Sequence, residues 1–337
     1  MLGYDKKNGK PITIPYADRY LHTLIVGSDR ENKLKNTLIP MINQDLKNYD
    51  LGVTIIEPGE DLMKEAIKTC ETINRDVITI NPLKPNGIII NPLIGEESDV
   101  VEIFSSTFKI MNMNLSDTYY LPCDDLLRRA IILIKRLKGD NATLTDIDLL
   151  LNNPNNCGRK MITDFIKIED SNREKAKENE RIARWFLNDY YSGMNGERGA
   201  TNTFELCRAL RLQMSTFTNN EYVKNIMLPS EDSSSTILDF NKTLKGKTVV
   251  AISIQQQKLG NVGKHMGYLI TECFQSAIFR RPGSDATRIP NMVYINQFEQ
   301  FATPALGNVL TMGRGYRVSL NLVVDSRDCM IPVQKRD

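Results

Sequence analysis

The feature that most constrains this chain is a set of short apolar runs, each bounded by turn residues or by a helical segment. We expect strands at 20–27, 52–56, 76–80, 248–254, 292–296 and 317–324. Helices are predicted between them, at about 33–46, from Asp61, at 260–280 and at 304–310. Alternation of buried strands with helices is typical of a parallel sheet covered by helices. The sequence therefore predicts an α/β fold.

The middle of the chain has a different character. From about residue 99 to 240 helical periodicity dominates, as in the segments 124–137, 142–151 and 171–191. We interpret this region as an all-helical domain inserted into the α/β domain. The predicted limits are 1–98 and 241–337 for the two parts of the α/β domain and 99–240 for the insert.

Composition argues against several classes of site. The 43 Lys+Arg against 41 Asp+Glu give a net charge of +2, so no overall basic field indicates a nucleic-acid binder. Six cysteines without a Cys-x-x-Cys pair, and only two histidines, argue against a disulfide framework, a zinc site and a histidine-based triad. No metal site is predicted. Since no run approaches the roughly 20 apolar residues of a spanning helix, we expect a soluble, cytoplasmic chain.

The first predicted strand ends at Gly27 and the next helix starts near Lys33, which is the context of a phosphate-binding loop. Such a loop reads G-x-x-x-x-G-K-[ST], whereas this chain has Gly27-Ser-Asp-Arg-Glu-Asn-Lys-Leu. Asn32 replaces the second glycine. Leu34, which has no oxygen for Mg²⁺, replaces the Ser or Thr. The candidate nucleotide-binding residues are therefore Gly27, Asn32, Lys33 and Leu34.

Two acids inside the same loop, Asp29 and Glu31, place negative charge where phosphates would lie. They oppose the electrostatics that a phosphate cradle needs. The alternative interpretation of Lys33 is a surface lysine at the start of a helix.

A second departure from a nucleotide-hydrolysing site lies at the end of the strand 292–296. This strand ends in two side-chain amides, Asn296 and Gln297. In an ATP-driven motor such a strand ends in two carboxylates, of which the first holds Mg²⁺ and the second polarises the attacking water. Asp325 follows the last predicted strand. We regard Asn296, Gln297 and Asp325 as degenerate catalytic positions; the alternative is that the amides cap the strand end through local hydrogen bonds.

Several segments, taken in order, resemble the coupling ATPases of type IV secretion and conjugation, the TraG/TraD-type group within the HerA/FtsK-like superfamily of ring-forming P-loop motors. They are the lead-in hairpin at 2–5 and 9–12, the strand 22–27, the acid–Pro turn in 55–62, the Asn-Pro-Leu signature in 90–93, and the segments 294–304 and 313–324. The resemblance implies a RecA-like, P-loop NTPase-type, mostly parallel sheet with an inserted all-helical domain. In this family a glutamine that senses the γ-phosphate usually stands where this chain has Asp325.

The resemblance also implies partners and a location. Members act as homo- or hetero-oligomeric rings on DNA or on relaxase-type protein cargo, at the periphery of a membrane-bound secretion apparatus. Ring motors often supply an arginine in trans to the neighbour's nucleotide, for which Arg314 and Arg317 are the candidates; a surface role is the alternative. Many relatives begin with membrane helices and continue beyond the position of Asp325 with further strands. The sequence leaves open whether this chain is a fragment truncated at its C-terminus.

Leu34, Asn296, Gln297 and Asp325 depart from the motor pattern together. We therefore predict a pseudo-ATPase with a non-catalytic role in assembly or cargo docking. No cofactor is assigned, and binding of ATP and Mg²⁺ stays an open question. The alternative hypotheses are an active ATP-driven DNA translocase with an atypical site and a decaying paralogue without a present role.

Overall fold

The computed structural model describes residues 3–28, 33–194, 203–229 and 235–326. The chain divides into two compact units, Met1–Ile88 with Thr236–Asp337 and Ile89–Ser235. The first unit contains a six-stranded sheet, and the second is predominantly helical. The predicted domain limits, with an insert at 99–240, stay a prediction.

The sheet of the first unit is parallel throughout. Its strands are β1 (Thr23–Val26), β2 (Gly52–Glu57), β3 (Val77–Ile80), β4 (Val249–Ser253), β5 (Asn291–Asn296) and β6 (Val318–Val324). They lie in the order β1-β6-β5-β2-β4-β3, and each neighbouring pair is parallel. Every residue of β2, β4, β5 and β6 is buried, as expected for parallel strands covered on both faces. The predicted mostly parallel α/β sheet is confirmed.

The N-terminal part of this unit differs from the prediction at one point. Strands Gly3–Tyr4 and Pro11–Ile12 form the expected antiparallel hairpin. The predicted strand 20–27 is only partly right, because Tyr16–Leu21 forms a 3₁₀ helix. His22 follows with φ of 69°, and this left-handed backbone separates the helix from β1. Its Nδ1 accepts a hydrogen bond from the backbone N–H of Leu320 (3.0 Å), which indicates a structural role for His22.

The remaining elements of this unit connect the strands. Its helices are the π-helix Leu34–Leu38 and the α-helices Ile39–Leu46, Asp61–Ile73, Phe240–Lys245, Gln256–Phe279 and Pro304–Met312. Two 3₁₀ turns, Phe298–Gln300 and Gly313–Tyr316, flank the last of these helices. A short strand at Thr236–Ile237 also belongs to this unit, and the strand Ile88–Ile89 spans the limit between the two units. Helices Ile39–Leu46 and Asp61–Ile73 pack apolar side chains against the sheet.

A buried ion pair between Arg19 and Asp45 connects the 3₁₀ helix Tyr16–Leu21 to the helix Ile39–Leu46. Arg19 donates from Nη1 and Nη2 to the two carboxylate oxygens of Asp45, at 2.5 and 2.6 Å. Tyr294, in β5, donates its hydroxyl to Asp45 Oδ2 and accepts from Arg19 Nη2 at 3.1 Å. Burial raises the pKa of the Tyr294 hydroxyl well above its ordinary value, and the Asp45 carboxylate adds to this rise. The bidentate pair therefore connects the N-terminal segment to a central strand.

The second unit consists mainly of helices around an aromatic core. Its helices are Glu97–Met111, Asp117–Lys138, Leu144–Asn152, Cys157–Ile166, Arg173–Trp185, the π-helix Phe186–Tyr190, Tyr191–Met194, Thr203–Leu206, Arg208–Asn219 and Glu221–Met227. A capping box of Thr143 and Asp146 starts the helix Leu144–Asn152. Phe186, Tyr190 and Tyr191 are fully buried and contact one another through their rings. Among the helices that the structure describes, none is both long enough and apolar enough to cross a membrane.

Candidate functional site

The carboxyl ends of three neighbouring strands, β1, β6 and β5, bring predicted site residues to one edge of the sheet. Val26 of β1 lies opposite Val324 of β6, and Val323 lies opposite Asn296 of β5. The backbone N–H of Gly27 donates to the Val324 carbonyl at 3.2 Å. Gly27 and Asp325 therefore follow paired strands directly. This edge is where parallel α/β sheets place their ligands.

Lys33 is held inside the protein. Its side chain is only 5% exposed, and Nζ forms an ion pair with Asp325. The same ammonium donates to the Val324 carbonyl at 3.3 Å. Asp325 also accepts from Gln297 Nε2 at 3.3 Å. The lysine that a phosphate loop would direct to a nucleotide is therefore bound by a carboxylate and a carbonyl of the same chain.

Leu34 stands where a Mg²⁺-binding hydroxyl is required. It begins the π-helix Leu34–Leu38, and its partly buried side chain packs against the core of the unit. A π-helical turn in this position widens the first turn of the helix that would face the phosphates. Asn32, together with Asp29 and Glu31, lies outside the described residues, so the rest of the loop prediction stays a prediction.

The amides at the end of β5 differ in their surroundings. Gln297 has a left-handed backbone (φ 48°) and accepts from Gln300 Nε2 at 2.9 Å. The described hydrogen bonds of its side chain are to the side chains of Gln300 and Asp325. Asn296 is 8% exposed, and within the described part of the chain its Oδ1 is buried without a hydrogen-bond partner. Gln297 is therefore hydrogen-bonded to neighbouring side chains, whereas the Asn296 Oδ1 has no partner among the described residues.

A cleft of about 450 Å³ opens at this edge. It brings together the loop lysine, the end of β5 and the turn that follows β2. The lining residues are Lys33, Leu34, Lys35, Ile39, Glu57, Pro58, Gly59, Asp61, Gln257, Asn296 and Gln297. Four of the predicted site residues (Lys33, Leu34, Asn296 and Gln297) and one unpredicted buried acid, Glu57, thus share a single cleft.

Glu57 is the site residue that the sequence prediction missed. It ends β2, is 1% exposed, and accepts from the backbone N–H of Met63 at 2.8 Å, within the first turn of the helix Asp61–Ile73. Burial raises the pKa of its carboxyl to about 7, although backbone N–H groups of that turn lower it, while Asp61 raises it further. The acid–Pro turn Glu57-Pro58 was the signal available in the sequence. Its burial could not be inferred from that turn alone.

A further carboxylate adds negative charge near the lysine. Glu299, in the 3₁₀ turn after β5, has a pKa raised chiefly by burial and also by Asp325, while Lys33 lowers it. Its Oε2 is buried and has no partner among the described residues. The surroundings of Lys33 are therefore acidic, unlike a phosphate cradle.

The two candidate trans arginines have different environments. Arg314 is exposed. The guanidinium of Arg317 lies over the ring of Tyr20, 4.8 Å from its centre, and Arg317 has a left-handed backbone with φ of 57°. Arg317 thus contacts Tyr20 of its own chain, whereas Arg314 is the exposed one of the two. Among the described residues, no group of three or more acidic, cysteine or histidine side chains could hold a metal ion.

Comparison with known proteins connects this geometry to a fold. No protein-family model and no curated protein matches the chain. Among solved structures, the plasmid coupling protein TrwB in complex with the GTP analogue GDPNP is 12% identical with a TM-score of 0.62, covering 98% of this chain and 69% of TrwB. The chain has the fold of a plasmid coupling protein. TrwB in complex with ADP and Mg²⁺ gives a TM-score of 0.61 at 14% identity, covering 96% and 70%.

A second type of neighbour shares the coupling-protein fold. VirB4 of Thermoanaerobacter pseudethanolicus is 12% identical with a TM-score of 0.54, covering 99% of this chain and 78% of VirB4. The predicted coupling-ATPase-like, P-loop NTPase-type fold is confirmed by these neighbours. At such low identity the similarity concerns the fold, so the chemistry of the cleft rests on the residues of this chain.

Proposed function

We propose that this chain is a pseudo-ATPase with a coupling-protein fold that serves in the assembly or cargo docking of a DNA-transfer or secretion apparatus. Its cargo would be DNA or a relaxase-type protein. It would act in the cytoplasm at the periphery of the apparatus, as a subunit of a homo- or hetero-oligomeric ring. TrwB has a similar fold and is known in complex with GDPNP and with ADP and Mg²⁺; we propose that this chain does not bind such a nucleotide.

The ion pair of Lys33 with Asp325 carries this proposal. To pair with the Lys33 ammonium in place of its counter-charge, a phosphate would have to displace the Asp325 carboxylate. The displaced carboxylate would remain close to the phosphate, and two like charges about 4 Å apart repel by about 4 kcal/mol near a protein surface. Nucleotide binding is therefore opposed at the group that should favour it most.

The residues at three other site positions lack the groups that ATP hydrolysis requires. Phosphoryl transfer depends on Mg²⁺, an oriented water and fixed charges around the phosphates. Leu34 offers no oxygen to a metal ion, and Asn296 and Gln297 carry no charge. Loss of a single stabilising group commonly lowers a rate by about 10² to 10³, so the combined losses support the absence of hydrolysis.

Calorimetric titration of the full chain with ATP, with and without Mg²⁺, tests the proposal. We expect no heat of binding at millimolar nucleotide, while a DNA oligonucleotide or a relaxase binds in a parallel assay without nucleotide and equally well to Lys33→Ala. Micromolar binding that requires Mg²⁺ and is lost in Lys33→Ala would contradict the pseudo-ATPase.

Removing the negative charge of Asp325, which pairs with Lys33, should increase the affinity of the chain for ATP. In Asp325→Asn the ammonium is left buried without its counter-charge, which favours binding of an anion. We expect the Kd for ATP to fall by about tenfold or more, measured with a fluorescent ATP analogue and unlabelled ATP as competitor. Asp61→Asn is the matched control, since Asp61 lines the same cleft and is exposed. Equal affinity of wild type and Asp325→Asn would show that the ion pair does not exclude the nucleotide.

One observation favours the alternative of an active DNA translocase. Glu57 is a carboxyl in the same cleft as Lys33, and its pKa of about 7 suits a general base at neutral pH. In this alternative, DNA-dependent ATP hydrolysis would be measurable in the wild type and absent in Glu57→Gln. The absence of ATP hydrolysis by the wild type in the presence of Mg²⁺ and DNA would exclude it.

A further inference from the structure

Arginine side chains gather at the edge of the sheet that lies opposite the cleft. The segments 280–290 and 313–317 directly precede β5 and β6. Because the strands are parallel, both segments lie at the amino-terminal edge, whereas the cleft lies at the carboxyl-terminal edge. Together the two segments contain five arginines and one acidic residue, Asp285. Since the net charge of the whole chain is only +2, this edge is a local concentration of positive charge.

Two of these arginines are hydrogen-bonded to backbone carbonyls. Arg281, which is 4% exposed, donates to the carbonyl of Leu244 at 2.8 Å and to that of Tyr316. Arg288 donates to the carbonyl of Gly315 at 2.7 Å and to that of Arg281 at 3.0 Å. Burial and the charge of Arg288 lower the pKa of Arg281 to about 10, so Arg281 is still protonated at neutral pH. Carbonyl oxygens accept these N–H groups but do not neutralise their charge.

Tyrosine rings lie between the arginines. The guanidinium of Arg288 lies over the ring of Tyr316, 4.5 Å from its centre, and that of Arg317 lies over the ring of Tyr20 at 4.8 Å. Tyr20 donates its hydroxyl to that of Tyr16 at 2.8 Å, and Tyr16 is 46% exposed. These contacts connect the segment before β5, the turn before β6 and the 3₁₀ helix before β1. We call this surface the arginine–tyrosine edge, which consists of Tyr16, Tyr20, Arg288, Arg314, Tyr316 and Arg317.

Aliphatic side chains are exposed beside the arginine–tyrosine edge. Leu21, the last residue of the 3₁₀ helix, is 60% exposed, and Met312, which precedes the turn before β6, is 49% exposed. The backbones that carry them are in contact, because a Cβ placed on Gly313 would lie 3.1 Å from Cε1 of His22. Ile12, which is 49% exposed, lies only four residues before the 3₁₀ helix, a span of at most about 14 Å. Apolar surface and positive charge therefore occur together.

We propose that the arginine–tyrosine edge binds the surface of a membrane that contains anionic phospholipids. The guanidinium groups would pair with lipid phosphates, for which their planar set of N–H donors is suited. The tyrosine rings would lie at the level of the headgroups, and Leu21 and Met312 would enter the boundary with the acyl chains. This inference goes beyond the function proposed above, because it concerns the opposite edge of the sheet and holds whether or not the cleft binds a nucleotide.

The aliphatic side chains favour a lipid surface over a nucleic acid. The phosphates of a nucleic acid would also attract the arginines. A phosphate backbone offers no apolar partner to Leu21 or Met312, whereas burial of their surface in the lipid interface is favourable. Cations close to an anionic membrane surface add to this binding, each by a similar amount. A membrane therefore satisfies both the charged and the apolar groups of this edge.

Flotation of the full chain with lipid vesicles tests the proposal. The vesicles consist of phosphatidylcholine with about 30% phosphatidylserine, or of phosphatidylcholine alone. We expect binding to the anionic vesicles, with an affinity at least about tenfold lower for the neutral vesicles and in about 0.5 M NaCl. Arg314→Glu, which reverses one exposed charge, should weaken binding to the anionic vesicles by about tenfold or more. Leu21→Ser and Met312→Ser should each weaken it by about threefold.

Matched controls come from the helical unit. Arg173 is an exposed arginine there and Leu212 is a leucine that is 57% exposed, so Arg173→Glu and Leu212→Ser make the same changes away from the edge. Both variants should bind the anionic vesicles as the wild type does. Equal losses in the control variants, or wild-type binding in Leu21→Ser and Met312→Ser, would show that the edge does not enter the membrane.

A DNA oligonucleotide in a parallel assay distinguishes the two kinds of partner. If the oligonucleotide binds, the anionic vesicles do not, and Arg314→Glu abolishes the binding, the edge is a nucleic-acid surface and the membrane proposal is wrong. The absence of binding to anionic vesicles by the wild type would overturn it as well. Neither result bears on the calorimetric titration with ATP, so failure here is distinct from failure of the pseudo-ATPase proposal.

Discussion

Replacing Asp45 with alanine is expected to lower the free energy of unfolding by about 3–5 kcal/mol. Asp45 is 4% exposed and accepts two hydrogen bonds from Arg19 and one from Tyr294. Its removal leaves the Arg19 guanidinium partly buried without a counter-charge and the Tyr294 hydroxyl without its acceptor. Breaking one side of a buried pair is costly because the remaining charge stays desolvated.

Urea unfolding followed by circular dichroism measures this loss. Asp50→Ala is the control, since Asp50 pairs with Lys247 at the surface and its side chain is 88% exposed. We expect no measurable change in that variant. A midpoint for Asp45→Ala equal to that of Asp50→Ala would show that the Arg19–Asp45–Tyr294 contacts do not stabilise the unit.

Glu57→Gln is expected to remove a pH dependence of stability. The folded protein raises the pKa of Glu57 from 4.5 to about 7. Between these two values the unfolded chain has lost this proton and the folded protein retains it. Stability from this group is therefore highest below pH 4.5, falls as the pH rises, and is lower by about 3 kcal/mol above pH 7. The glutamine variant should lack this fall and be more stable than wild type at pH 8.

Unfolding free energies measured at intervals from pH 4.5 to 8 test the sign. Glu71→Gln is the control, as Glu71 is an exposed carboxyl on the neighbouring helix Asp61–Ile73. Its curve should follow the wild type. If wild type and Glu57→Gln show the same slope across this range, the carboxyl of Glu57 titrates normally and the general-base alternative loses its support.

The strands of the sheet could be predicted from sequence because buried parallel strands are continuous apolar runs. The exception, Tyr16–Leu21, is instructive. Tyr20 and Leu21 fit a strand by composition, but the left-handed backbone of His22 separates them from β1, and they belong to the 3₁₀ helix. The π-helix at Leu34 likewise has no sequence signal, since periodicity alone does not separate it from an α-helix.

The site could be predicted in position and only partly in detail. Strand ends placed Lys33, Asn296, Gln297 and Asp325 at one edge, because parallel strands share the orientation of their carboxyl ends. The ion pair between Lys33 and Asp325 depends on side-chain conformations across most of the chain length, which spacing does not determine. The absence of nucleotide binding stays a prediction.

The strand order has a consequence for synthesis on the ribosome. Among the described strands β1 pairs with β6 alone, and β5 lies between β6 and β2. The N-terminal strand of this sheet therefore has no partner among them until β6 has been made. By then the helical unit has left the exit tunnel and can fold by local contacts, whereas the sheet must wait for pairings of high contact order. The candidate cleft, which draws on Lys33 and Asn296 together, is among the last features of the molecule to form.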